Sequence, residues 1–201
     1  MYAMQGSFDR ARELYRNERD LLTELGPSIM ASSTAIDGAR VELLAGNLDL
    51  AEEQLRRDYT ELASLDETYY RATIAAWLGR TLFLRGDLSG AGEYSQIALD
   101  LAEEDDIDAQ VRGRLVQARV LAAAHDDRGL SLAEEAVKQS SEMADLILRG
   151  DALADLAQVL AILRTPEMAE PPLREALTLF ERKGDTVSAE RVRGMLGRVL
   201  A

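Results

Sequence analysis

Arginine recurs in this chain at a fixed register. Arg40, Arg80, Arg119 and Arg198 are 40, 39 and 79 residues apart, and Gln158 occupies the one remaining position of the series. A guanidinium is planar, permanently charged and donates paired N–H groups that fit a carboxylate or a phosphate bidentately. Arg112 and Arg191 stand seven residues before Arg119 and Arg198 and flank the series. Two readings follow. The arginines form a ladder that holds an acidic segment or another anion, or each pairs with a neighbouring Asp or Glu, of which the chain has 36.

Other reactive chemistry is sparse. His125 is the single histidine and falls at a predicted turn, where it reads as solvated. There is no cysteine, which excludes disulfides and thiolate chemistry, and no His-x-x-x-His pair with zinc-ligand spacing. The acidic run Glu103–Asp108 lacks the loop glycine and ligand spacing of a calcium-binding loop and reads as a solvated connection. The glycine-rich stretch Gly86–Gly92 follows a helix and lacks the Gly-Lys-Ser/Thr of a phosphate loop. Arg-Gly-Asp at 85–87 and 149–151 is attributed to composition, and no Gly-x-Ser-x-Gly elbow is present. Paired carboxylates such as Glu52-Glu53 and Glu134-Glu135 fall on exposed helix faces. No catalytic residue, metal site or cofactor is expected, and the chain is not read as an enzyme.

The elements that must position these groups are set by small residues. Ala39, Gly79, Ala118, Ala157 and Gly197 recur every 39 or 40 residues. A second series, Ala11, Ala51, Ala91, Leu130 and Ala169, has the same step and follows the first by 12. Gly129 beside Leu130 is read as taking the small role there. A third series, Gly6, Gly46, Gly86, His125 and Arg164, marks turns. Self-similarity at this period signifies stacked supersecondary units. Each unit reads as two amphipathic helices that cross closely, because a large side chain at the crossing would push their axes apart. The pattern predicts ten helices, over 8–24, 28–45, 48–64, 67–85, 88–103, 107–124, 128–143, 145–163, 166–183 and 186–200. Pro166 fits the first turn of its helix, whereas Pro171-Pro172 should bend or delay the start.

Composition agrees. The chain is 47% hydrophobic, 29% charged and only 5% aromatic, with Ala and Leu dominant, which favours helices over sheet and order over disorder. A net charge of −13 disfavours a nucleic-acid partner. No apolar run approaches the roughly 20 residues of a membrane span, and Met1–Gly6 does not read as a signal peptide.

These residues resemble the tetratricopeptide repeat. Leu78-Gly79 with Leu82, Ala91 and Ala98 fits its pattern, as does Leu156-Ala157 with Leu160, Ala169, Leu173 and Ala176. The usual repeat is about 34 residues; the longer step predicts second helices roughly a turn and a half longer. The segment Leu148–Ala157, followed by Leu173–Leu177 and Phe180–Asp185, is similar to the C-terminal helical region of large bacterial signalling proteins that join a nucleotide cyclase or a DNA-binding module to an AAA-type ATPase. The resemblance implies an all-α, right-handed α-α superhelix with the arginine series on its concave groove.

Residues 1–201 are accordingly expected to form a single repeat domain, a fragment of a larger protein with half a repeat at each end. The function expected is a non-catalytic scaffold that binds an acidic peptide or a partner domain, including other domains of the same polypeptide. The alternative is a ligand-sensing regulatory segment. The chain is expected to be cytoplasmic, with neither nucleic acid nor membrane as partner. The unpaired last helix, with Val192, Met195, Leu196, Val199 and Leu200, is a candidate face for end-to-end association.

Overall fold

The computed structural model describes residues 1–24, 26, 28–163 and 166–200, without the Pro166 side chain. Among them it is all-helical: α1 Phe8–Glu24, α2 Ile29–Ser33, α3 Ala35–Ala45, α4 Leu48–Ser64, α5 Tyr69–Arg85, α6 Leu88–Leu101, α7 Ile107–Ala123, α8 Arg128–Ser140, α9 Leu146–Ile162, α10 Glu170–Lys183 and α11 Thr186–Val199. Short 3₁₀ turns span Tyr2–Gln5 and Pro166–Met168. No helix among the described residues is long and apolar enough to cross a membrane.

The helices stack as an α-α superhelix. On the inner side α3 packs on α5, α5 on α7 and α7 on α9, while α4, α6, α8 and α10 pack between successive inner helices. The small-residue series sits where the hairpin helices cross. Ala39, Ala51, Ala91, Ala118, Ala157 and Ala169 are all buried. A Cβ on Gly79 would stand 3.2 Å from the Ala91 carbonyl oxygen, and one on Gly129 would stand 2.5 Å from that of Ala118. Gly129 therefore fills the crossing position beside Leu130, as its neighbourhood in sequence suggests.

Turns repeat with the same chemistry. The N–H of Gly86 bonds the Phe83 carbonyl and that of Asp87 bonds Leu82, which satisfies two orphan carbonyls at the end of α5. Gly46 and Gly184 end their helices likewise, with φ of 80° and 77°. His125 occupies the equivalent position after α7 at φ 56°, a conformation costly for a side chain with a Cβ. Arg164 lies outside the described residues. Four helices, α6, α7, α9 and α11, are capped by a carboxylate: Asp87 accepts from Gly90 N, Asp106 from Ala109 N, Asp145 from Ile147 N and Asp185 from Ser188 N.

Three expectations need correction. The helix predicted over 28–45 is broken at Thr34. Ser32, Ser33 and Thr34 each donate a hydroxyl to a carbonyl three or four residues back, at 3.3, 2.9 and 2.6 Å, and so compete with the helical ladder. The extra length of the repeat is in the second helix only for α4, which has 17 residues; α6, α8 and α10 have 14, 13 and 14, whereas the first helices α5, α7 and α9 have 17 each. In those later units the added residues fall in the first helices and, as the step suggested, in the connections that follow the second helices. Finally, Pro166 opens a separate 3₁₀ turn, and α10 begins at Glu170 with both later prolines in its first turn, where a missing N–H breaks no helical bond.

The stack is tightly curved. Met4, in the first 3₁₀ turn, belongs to the same apolar cluster as Leu173, Phe180 and Val192 near the other end of the chain. Thr186 Oγ1 donates to the Met4 carbonyl at 3.2 Å. Curvature also buries the inner wall. Every residue of α5 from Ala72 to Leu82 is buried, so this helix has no solvent face over three turns.

Candidate functional site

The centre of the inner wall is an ion cluster. Asp151 and Asp155 lie four residues apart on α9 and therefore on one helix face. Asp155 accepts from Arg80 Nη1 at 2.8 Å and from Arg119 Nη1 at 3.3 Å. Asp151 lies 3.3 Å from Arg191 Nη2, 3.6 Å from Arg112 Nη1 and 3.8 Å from Arg80 Nη2. Three inner helices, α5, α7 and α11, thus send cations to a fourth.

Aromatic faces complete the enclosure. The Arg112 guanidinium lies 4.3 Å from the Trp77 ring centroid, and that of Arg119 lies 4.1 Å from Phe83. Stacking of this kind is worth about 2 kcal/mol when desolvated. Arg112 Nε also meets Asp108 at 3.0 Å. Arg119 Nε has no hydrogen-bond partner among the described residues.

Burial and charge compete at each group. Desolvation pushes the Arg119 guanidinium down to about 10, against the pull of Asp155, with Arg80 and Arg191 adding repulsion. For Arg80 desolvation is also the largest influence, but Asp155 and Asp151 outweigh it and hold the group above its ordinary value. Burial opposes ionisation of Asp151, yet Arg80, Arg191, Arg112 and Arg40 together keep its carboxyl below the usual range.

The arginine series is thus divided among three environments. Arg80 and Arg119 are buried and bonded to Asp155, and Arg112 and Arg191 converge on Asp151. Arg40 borders a cavity between α3, α5, α9 and α11. Gln158 and Arg198 lie in a separate groove between α9, α10 and α11. The partners of Arg80 and Arg119 are remote, 75 and 36 residues along the chain, not local carboxylates.

Sequence reasoning missed Asp151, Asp155 and Trp77. A signal existed for one of them. Arg112, Asp151 and Arg191 are separated by 39 and 40 residues, so the aspartate stands in register between the two flanking arginines. Among the described residues no group of three or more His, Asp or Glu is placed to hold a metal ion.

The fold is that of TPR-like repeat proteins. The structure superposes on BtubC (BKLC) from P. vanneervenii with a TM-score of 0.59 at 14% identity, covering 98% of this chain and 90% of that one. It also superposes on a chain of nearly identical TPR-like repeats from Podosopora anserina, assigned to the kinesin light chains, with a TM-score of 0.55 at 15% identity over 90% and 91% of the two chains. A point variant of that chain gives a TM-score of 0.57. No protein-family model and no curated protein matches the sequence.

Proposed function

We propose that this chain is a non-catalytic interaction scaffold whose inner surface receives an acidic and apolar segment of a partner protein, or of another part of the same polypeptide. In this reading residues 1–201 act as one repeat domain. Arg198 carries the proposal. It forms no ion pair among the described residues and borders a groove of about 390 Å³ lined by Gln158, Ala161, Ile162, Leu173, Met195 and Val199. In a chain of net charge −13, a free guanidinium beside apolar surface complements a segment with the opposite pattern, carboxylate next to Leu or Ile. Stacked repeats present such extended surfaces by construction.

Selection of random peptides against the folded chain tests this. Recovered sequences are expected to enrich Asp or Glu beside large aliphatic residues, and Arg198→Ala to weaken them about tenfold, the loss of one charge-assisted bond. Recovery of basic peptides, or affinities indifferent to Arg198→Ala, refutes the proposal.

A further inference from the structure

A second opening lies on the inner wall between α3, α5, α9 and α11, with a volume of about 310 Å³. Its charged lining consists of Arg40, Arg80 and Arg191 against Asp151 and Asp185, which leaves one positive charge unmatched. The pairing shows which one. Arg80 is bonded to Asp155 at 2.8 Å, and Arg191 to Asp151 at 3.3 Å. Asp185 is occupied in capping α11, accepting from Ser188 N and Ser188 Oγ at 2.9 Å each. Arg40 has no carboxylate within 4.0 Å among the described residues; its Nη2 donates to Met4 Sδ at 3.7 Å. A thioether is a weak acceptor and leaves a guanidinium largely unsatisfied.

Trp77 and Ser188 also line it, the serine hydroxyl being already bonded to Asp185; the rest of the wall is apolar: Leu43 and Leu44 from α3, Leu84 from α5, Ile147 from α9 and Val187 from α11. A carboxylate on Arg40 would fill only part of the volume. What fills the remainder must be hydrocarbon, because those side chains offer no hydrogen bonds. The charge of the ligand is also fixed. Asp151 and Asp185 stand in the same lining and repel a second negative charge, so a monoanion fits and a phosphate dianion does not. A peptide terminus would bring amide groups against Leu43, Leu44, Leu84, Ile147 and Val187, which offer them no partner, whereas a free acid brings none.

We infer that this cavity binds a small aliphatic monocarboxylate, with its carboxylate on Arg40 and its chain against Leu44, Leu84, Ile147 and Val187. The ligand touches α3 and α11, the two helices that the Met4 turn already ties together. Binding therefore fastens α3, near the start of the stack, to α11 at its end. This site is separate from the Arg198 groove and stands or falls independently of it, because peptide selection reads that groove and not this cavity.

Calorimetric titration with isocaproate, its neutral amide, inorganic phosphate and N-acetyl-Gly-Leu tests the inference. Isocaproate is expected to bind and to raise the unfolding midpoint. The amide, phosphate and the capped dipeptide should each bind at least tenfold more weakly. Arg40→Gln should cost isocaproate about tenfold in affinity and lower the unfolding midpoint of the free chain by far less than Asp151→Asn does, since Arg40 acts on Asp151 only at a distance and holds no ion pair among the described residues. Equal binding of acid and amide, tighter binding of phosphate or dipeptide, acid binding indifferent to Arg40→Gln, or no binding of isocaproate at millimolar concentration overturns it.

Discussion

Arg119 on α7 and Asp155 on α9 meet at 3.3 Å inside the wall, each with 1% of its surface exposed. Asp155 also holds Arg80 of α5 at 2.8 Å, so one carboxylate ties three inner helices together. Breaking a buried pair strands an uncompensated charge, at about 3–5 kcal/mol. Asp155→Ala strands Arg119 and leaves Arg80 only Asp151 at 3.8 Å, whereas Arg119→Ala leaves Arg80 to satisfy the aspartate. Urea unfolding should therefore place Asp155→Ala below Arg119→Ala in stability, with both well below the parent chain. The reverse order, or a loss under about 1 kcal/mol for Asp155→Ala, contradicts a cross-linking role.

Asp151 predicts the acid limb. Burial would raise its carboxyl, but Arg80, Arg191, Arg112 and Arg40 lower it in the folded chain. A carboxyl depressed on folding contributes stability that is complete above the unfolded value, about 3.9, and is lost as pH falls through the lower folded value. Thermal midpoints should fall across that window. In Asp151→Asn the same window should be flatter and the stability at neutral pH lower. An unchanged acid slope would remove Asp151 from the account.

His125 ends α7 at φ 56°, where the equivalent positions Gly46 and Gly86 have φ of 80° and 86°. A left-handed residue with a Cβ costs about 1 kcal/mol, offset in part by the extra freedom of an unfolded glycine. His125→Gly should stabilise the chain by about 0.5 kcal/mol, and Gly86→Ala should destabilise it by more. Denaturant midpoints at constant slope decide the matter.

Two glycines of similar sequence context should behave oppositely. A Cβ on Gly129 meets the Ala118 carbonyl oxygen at 2.5 Å and Ala122 N at 3.0 Å, both backbone atoms, so Gly129→Ala forces α7 and α8 apart. We expect a loss of about 1–3 kcal/mol. A Cβ on Gly197 meets nothing within 4 Å. Gly197→Ala should gain up to about 0.5 kcal/mol from helix propensity alone.

Much of the architecture was legible because it is locally encoded. Apolar residues at three and four, glycine after α3 and α5 and an aspartate before α6, α7, α9 and α11 specify units that need no distant partner. What escaped had a different origin. The break at Thr34 depends on three hydroxyls turning back onto the ladder. The ion cluster depends on Asp151 and Asp155, which carry no distinctive local pattern beyond their place in the 39–40 residue register. Gly197 belongs to the crossing series in sequence, yet no neighbouring atom approaches its Cβ position closely.

The repeat step and the hairpin unit were written in the order of residues, since both follow from helical period and from the chemistry of caps and turns within a few residues. The inward facing of the arginines was implied by the tetratricopeptide resemblance. How sharply successive hairpins rotate was not written there, because that angle is set by side-chain packing between units and accumulates along the stack. The accumulated curvature brought Asp155 to Arg80 across 75 residues and turned two rungs of a ladder into a buried cross-link. Among the described residues it left Arg40 and Arg198 without a carboxylate, which is why both proposals rest on them.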